Sequence, residues 1–381
     1  MHEFSMFEKV RGLIRRNGVQ SHEMNDGSTI ANEEGKVNEP ATIGAGRRLK
    51  LTHILRAQQI NVHALREFMW SGCPQTEYSL HAQAWKVALG YLPARSDRFQ
   101  DVTARKRAEY SAMKSQHQEL LERSASVEDN TMGLTIRQIR LDTPRTFRHS
   151  FAVLSDDRLQ EMCERVLILW SCNHPACGYV QGMNDAAIPL LVVLLEGETC
   201  LDISCVDGRS LDGVDLESVE CDLFWMLTRL LTDIQDHYTF SQPGIQRMCS
   251  KLKDIVSRSD PHLAAHLEDE HVELMQVAFR WFNCLFTREL GIRSLLRVWD
   301  TCIAEPNGFS SFLVYVAAAL IGRISADLKR SDFEEIMMTI SGSHNMKLPL
   351  TETDVLLSEA FVLKSLYDSS PAHITPPGIQ S

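Results

Sequence analysis

Apolar side chains recur at three- and four-residue spacings from Leu51 almost to the C-terminus of the 381-residue chain. No stretch shows the period-two alternation with hairpin turns that marks a half-buried strand. Leu65, Phe68 and Met69 predict an amphipathic turn leading to Trp70 and broken at Ser71, Gly72 and Pro74. His81–Leu89 predicts a short helix stopped by Gly90 and Pro93. Asp101–Arg123 is highly polar and predicts a solvent-facing helix. Further helices are predicted over Leu159–Cys172, Leu223–Tyr238, Gly244–Val256, His262–Glu268, Ser310–Gly322, Asp332–Ile340 and Thr353–Tyr367, and Met275, Phe279, Phe282, Leu285 and Phe286 form a helical stripe. Two runs, Ala186–Leu195 and Phe312–Ile321, are apolar throughout. Both fall well short of the roughly 20 residues needed to span a bilayer, so they read as buried helices. The pattern gives an all-α domain over residues 51–368.

Residues 1–50 read as a flexible N-terminal segment and residues 369–381, with Pro371, Pro376 and Pro377, as a loose tail. Within the first segment, Met6, Phe7, Val10, Leu13 and Ile14 make an apolar stripe ringed by Lys9, Arg11, Arg15 and Arg16. A frayed terminus is preferred for Met1–Arg16, and weak peripheral membrane association stays open as the second reading. Asn17–Gly46 reads as a linker.

Charge narrows the function classes. Thirty-nine basic against fifty acidic residues leave a net charge of −11, which excludes a general nucleic-acid binder. Glu196–Asp222 carries nine acids and one base, Arg209, and reads as an exposed loop or insertion. The N-terminal sequence has no apolar run of secretory-signal length, so a reducing compartment is expected and the ten cysteines read as small core side chains. Cys172, His174 and Cys177 have spacing at the permissive limit for zinc, but Cys172 ends an apolar helix, and a buried thiol is the preferred reading. There is no G-x-x-x-x-G-K-[ST], no H-E-x-x-H and no G-x-S-x-G.

Two segments exceed what packing needs. In Ile139-Arg140-Leu141-Asp142-Thr143-Pro144-Arg145-Thr146, Pro144 disfavours helix for its predecessor, so Arg145 is expected on a turn fixed by Asp142. A preorganised arginine suits phosphate chemistry, because its planar fork donates several hydrogen bonds and keeps its charge. In Gly178-Tyr179-Val180-Gln181-Gly182-Met183-Asn184-Asp185, the glycines allow a tight path around Gln181. Asn184 and Asp185 are natural caps for the apolar helix that follows, which leaves a polar amide at a helix entrance.

Together these strings resemble the I-x-x-D-x-x-R and Y-x-Q-G-M motifs of TBC-domain proteins, the GTPase-activating proteins of Rab GTPases. Supporting matches include Trp70-Ser71-Gly72, Trp85 with Gly90-Tyr91-Leu92-Pro93, Phe279-Arg280-Trp281, Arg297-Val298-Trp299-Asp300-Thr301 and Glu305-Pro306-Asn307-Gly308-Phe309. Tyr238-Thr239-Phe240, followed by Gln242-Pro243-Gly244-Ile245-Gln246, looks most like the family's Golgi-associated branch, the member twenty-two type. The family's R-x-x-x-W motif is altered, with His81 four residues before Trp85. In the family that arginine is mainly structural, so the change bears on local stability and not on chemistry.

The resemblance implies a fold of two packed helical subdomains with a disordered N-terminal segment. It also implies a protein with no active site acting alone, which activates GTP hydrolysis by a GTP-bound Rab in vesicle trafficking. Arg145 and Gln181 would be the arginine and glutamine fingers. Asp142 and Thr146 would hold the Arg145 segment, while Tyr179, Gly182, Asn184 and Asp185 would shape the Gln181 loop or meet the GTPase. Trp85, Trp281, Trp299 and Asp300 are assigned to the core, Asp300 as a cap or as the partner of a neighbouring arginine. No cofactor of its own is expected, since Mg²⁺ and GTP come with the Rab. The location implied is cytoplasmic, peripheral to Golgi or other endomembranes. A non-catalytic Rab-binding scaffold using the same groove is the alternative.

Overall fold

The computed structural model describes residues 41–118, 120, 131–147, 152–341 and 348–368. Met1–Arg16, most of the Asn17–Gly46 linker and the tail from Ser369 lie outside the described residues. Among those described there are fifteen α-helices and no strand, only an isolated antiparallel bridge between Gln59 and Arg95. In chain order they are α1 Ala41–Arg56, α2 Val62–Trp70, α3 Tyr78–Ala88, α4 Phe99–Gln116, α5 Thr131–Phe147, α6 Asp157–Asn173, α7 Met183–Thr199 and α8 Leu216–Asp233. Then follow α9 Pro243–Ser259, α10 Pro261–Asp269, α11 Leu274–Asn283, α12 Ile292–Ala304, α13 Phe312–Leu328, α14 Phe333–Ser341 and α15 Leu350–Tyr367.

The two apolar runs become the axes of the core. Every residue of α7 from Met183 to Glu196 is buried, as a helix apolar on all sides must be. It is packed by α3, α5, α6, α8 and α12. α13 is surrounded in the same way by α9, α11 and α15. The helices thus sort into two groups that share one continuous apolar core. α2 and α3 of the first group both pack on α12 of the second.

Several expected elements change under tertiary packing. α1 starts at Ala41, inside the span read as linker and across the boundary drawn at residue 50. Leu51 and Leu55 are buried, and the Arg47 guanidinium lies over the Phe68 ring while bonding the Ser71 carbonyl at 3.1 Å. α4 is polar in composition, yet it buries Val102 and Tyr110 and lays Lys106 on the Trp225 ring at 3.5 Å. On α11 the buried face is Leu274, Val277, Ala278, Trp281 and Phe282; Met275 and Phe279 stay partly exposed. Leu285 and Phe286 reach the core only after the helix has ended.

The reading of Glu196–Asp222 as an exposed loop is corrected most strongly. α7 continues to Thr199, and α8 begins at Leu216. Three of the nine acids, Glu196, Glu220 and Asp222, are buried. Glu220 takes Tyr110 Oη at 2.7 Å, Arg165 Nη2 at 2.8 Å and Lys114 Nζ at 3.2 Å. Asp222 takes Tyr91 Oη at 2.6 Å and Lys86, and Glu196 pairs with Arg293. Charge counting along the chain misses this because the compensating cations sit on other helices.

Trp85, Trp281, Trp299 and Asp300 are all fully buried, as the sequence reading assigned them. Among the described residues, however, no arginine pairs with Asp300. Its Oδ1 accepts from His81 Nε2 at 2.8 Å and Trp85 Nε1 at 2.7 Å, and its Oδ2 accepts from the Cys73 backbone N–H at 2.7 Å. Burial alone would raise this carboxyl, but the His81 charge and the three donors hold it below the usual carboxylate range. His81 therefore stands at the altered position of the R-x-x-x-W pattern and in this chain donates to the buried Asp300. Removing one partner of a buried charge typically costs about 3–5 kcal/mol. We expect His81→Ala to lower the unfolding free energy in urea by about that much.

Candidate functional site

Arg145 lies in the last turn of α5 and not on the free turn expected from Pro144. Proline supplies no N–H to the carbonyl one turn back, but near the end of a helix little remains to disrupt. Side-chain hydroxyls also reinforce the turn. Thr143 Oγ1 donates to the Ile139 carbonyl and Thr146 Oγ1 to that of Asp142, each at 2.9 Å. Asp142, Thr143 and Thr146 are buried, and the Arg145 side chain is left exposed among them.

Gln181 is exposed immediately before the central helix α7. Gly182 is the N-cap, with φ 112°, in the backbone region that favours glycine. Neither Asn184 nor Asp185 caps the helix as expected; both lie inside its first turn and are buried. Asn184 Oδ1 reaches back to the Gly182 N–H at 2.9 Å, so a side chain holds the bend that presents Gln181. Asp185 forms a two-pronged ion pair with Arg288, at 2.8 and 3.0 Å. Burial raises the Asp185 carboxyl and Arg288 opposes the shift only in part.

The two segments are bonded directly to each other. Asn184 Nδ2 donates to Thr146 Oγ1. The Tyr179 hydroxyl lies 3.1 Å from Asp142 Oδ2 and 3.0 Å from Asn184 Oδ1. Gln138 Nε2 donates to the same Asp142 oxygen at 2.9 Å. Burial and the neighbouring Asp142 charge push the Tyr179 phenol well up, so it keeps its proton as a donor. Asp142, Thr146, Tyr179, Gly182 and Asn184 therefore form one bonded group between the segments that carry the exposed Arg145 and Gln181, while Asp185 ties the first turn of α7 to Arg288.

The sequence did not single out Asn283, at the end of α11. Its Nδ2 donates to the Gln181 carbonyl at 2.7 Å, its Oδ1 accepts from Gln242 at 3.1 Å, and its own carbonyl accepts from Tyr238 Oη at 3.0 Å. A Cβ added to Gly182 would meet Asn283 Cγ and backbone O at 2.9 Å each. Only the helical periodicity marks position 283, and periodicity carries no information about a carbonyl distant in the chain.

A cleft of about 630 Å³ is lined by residues including Lys114, Arg140, Glu164 and Arg165, and neither Arg145 nor Gln181 borders it. Both candidate fingers thus stand on open surface. Among the described residues one donor group could share an ion, Cys73, His81 and Asp300, whose ligand atoms lie within 4.8 Å of one another. The Asp300 oxygens there are already taken by three hydrogen bonds, and burial with the Asp300 charge pushes the Cys73 thiol well above its ordinary range.

Two expectations follow. Gly182→Ala should cost about 1–3 kcal/mol through a left-handed alanine and a forced Asn283, measured by urea unfolding. His237, beside the anchored Tyr238, is fully buried, and neither ring nitrogen finds a hydrogen-bond partner among the described residues. Burial pulls its pKa down to about 4, against the pull of Asp236. Between about pH 6.5 and 4 the unfolded chain binds a proton that the native state refuses, so stability falls as pH falls. The expected contribution is about 2 kcal/mol between pH 7 and 5, lost in His237→Leu, with denaturant midpoints of both proteins at each pH as the check.

Known proteins share this arrangement of helices. The model of the Rab-GTPase-TBC domain matches residues 78–329. GTPase-activating protein gyp1 of Schizosaccharomyces pombe is 38% identical over 330 residues, covering 85% of this chain and 62% of its own length. TBC1 domain family member 22B of Homo sapiens is 36% identical over 346 residues, covering 90% and 66%. The chain therefore spans less than two thirds of the length of these relatives. The crystal structure of the Ypt/Rab-GAP domain of Gyp1p matches with a TM-score of 0.76 at 34% identity, over 85% of this chain and 99% of that one. On the strength of a match over well over half its length, the chain belongs to the Rab-GTPase-TBC domain family.

Proposed function

We propose that this chain accelerates GTP hydrolysis on a GTP-bound Rab-type GTPase, with Arg145 and Gln181 acting in trans. The observation that carries the reading is the contrast at the surface described above. One cationic and one amide side chain are exposed, on segments whose neighbouring residues are buried and bonded to each other. The name of the S. pombe relative, a GTPase-activating protein, supports the same reading.

The chemistry is positioning and electrostatics. The Arg145 guanidinium would neutralise charge gathering on the γ-phosphoryl oxygens, a contribution of about 10³–10⁵ in rate or roughly 4–7 kcal/mol of barrier. The Gln181 amide, donor and acceptor at once, would orient the attacking water. GTP and Mg²⁺ arrive with the GTPase, and no covalent intermediate is needed. Among the described residues no helix is long and apolar enough to cross a membrane. By resemblance to the Golgi-associated branch, we place the reaction in vesicle trafficking, at the cytoplasmic face of Golgi or other endomembranes. Any weak membrane contact would fall to Met1–Arg16.

The test is single-turnover GTP hydrolysis by a panel of Rab GTPases with and without the protein. Arg145→Ala should slow the accelerated reaction by about 10³-fold or more and Gln181→Ala by about 10²-fold, with unfolding midpoints unchanged. Undiminished acceleration by Arg145→Ala overturns the arginine assignment. Binding to GTP-loaded Rab with no acceleration would make the protein an effector or scaffold.

A further inference from the structure

The Tyr238-Thr239-Phe240 string with Gln242-Pro243-Gly244 has no part in the chemistry above, yet it builds the most conspicuous apolar protrusion among the described residues. Phe240 is 96% exposed. A lone exposed apolar residue is ordinary on a protein surface. Here, however, the backbone is arranged to hold the ring out. Ser241 and Gln242 both adopt left-handed conformations, φ 63° and 44°, which are uncommon for residues other than glycine.

The loop is fastened on both sides of Phe240. Tyr238 is buried and bonds Asn283 O at 3.0 Å, and its own carbonyl takes Cys177 Sγ–H at 3.3 Å. Gln242 Nε2 donates to the His237 carbonyl at 2.9 Å and to Asn283 Oδ1 at 3.1 Å. Asn283 in turn holds the Gln181 carbonyl at 2.7 Å. The exposed ring is thus tied through one asparagine to the segment that presents the glutamine.

A second apolar side chain stands beside the arginine. On α5, Leu141 is 46% exposed one turn before Arg145, and Leu134 is 55% exposed two turns before Leu141. Residues four and seven apart share a helix face, so these leucines continue the face that carries Arg145. Leu141 thus shares the exposed helix face of Arg145, and the loop bearing Phe240 is bonded through Gln242 and Asn283 to the backbone of Gln181.

We propose that Leu141 and Phe240 are the apolar anchors by which the GTPase partner docks, seated on apolar surface of the partner flanking its bound nucleotide. The proposal rests on the GTPase-activating reading, and the anchors serve affinity while Arg145 and Gln181 serve rate. Phe240, 96% exposed, adds little to the free protein's packing, so its loss acts on the complex, whereas Leu141 is about half covered by its own helix and neighbours. Aromatic anchors of this kind dominate interface energetics, and truncation acts mostly on dissociation.

The test compares wild type, Phe240→Ala, Leu141→Ser and the double variant by two readouts. One is GTP hydrolysis against GTPase concentration, and the other is binding to the same GTPases loaded with a non-hydrolysable GTP analogue. Phe240→Ala should raise KM and Kd about 10- to 100-fold, and Leu141→Ser about 3- to 10-fold, with kcat within twofold for both and the unfolding midpoint unchanged for Phe240→Ala. A KM and Kd within twofold of wild type for both single variants overturns the proposal, as does a fall confined to kcat. Wild type that binds but does not accelerate removes the GTPase-activating reading alone, and Kd still decides the anchors. Wild type that neither binds nor accelerates any GTPase of the panel overturns both.

Discussion

Two side chains on different segments can act on one reacting group only if their backbones are fixed relative to each other. Here that constraint is met by a small knot of polar groups. Tyr179 spans Asp142 and Asn184, Asn184 spans Gly182 and Thr146, and Thr146 closes onto the Asp142 carbonyl. Every member is uncharged except Asp142, whose carboxylate gathers donors from Gln138 and Tyr179. Such a network is effective only when nearly all of its members are satisfied, since a half-satisfied one would be worse than an apolar contact. The knot rests on the first turn of α7, buried from Met183 to Glu196, so the surface bearing Arg145 and Gln181 is seated directly on the core.

The same logic recurs at the seams between helices. Asp222, Glu220, Glu196, Asp185 and Asp300 are all buried; Asp185 ties its helix to the turn after α11, and the other four tie theirs to another helix, by donors from elsewhere in the chain. Apolar packing supplies the bulk of the stabilisation but is tolerant of sliding. A buried carboxylate with specific donors does not tolerate it, because a shifted register strands a charge away from water. Part of the chain's acidic complement is therefore structural: Asp222, Glu220, Glu196 and Asp185 are each matched by a cation, so the excess behind the net charge of −11 lies with other residues.

Much of this was legible in the sequence, and the limits have physical reasons. Helix positions followed from spacing because a 3.6-residue period is a local property, and the fully apolar runs announced α7 and α13 as core. Arg145 and Gln181 stood out because Pro144 and the paired glycines interrupt otherwise regular helix chemistry. What failed depended on partners remote in sequence. Glu196–Asp222 looked like an exposed loop because Arg293, Arg165 and Lys86 lie on other helices. Arg145 was expected on a turn because the rule for residues before proline is statistical, and hydroxyls of Thr143 and Thr146 let the last turn stay helical. Asn283 had no local signature at all. His81 was noticed as a departure, but its role became clear only when Asp300 was seen beside it.

That carboxylate also bears on how the chain reaches its folded state. Asp300 lies 227, 219 and 215 residues after Cys73, His81 and Trp85, the three groups that donate to it. During synthesis the helices carrying those donors emerge long before their acceptor does. Until α12 arrives, the Trp85 indole and His81 imidazole on α3 and the Cys73 N–H between α2 and α3 lack this acceptor, so the segment cannot bury those groups without loss. Closure of a loop this long is slow relative to local helix formation. The contacts around Asp300 therefore form only after α12 has been made, later than the local turns of α2 and α3.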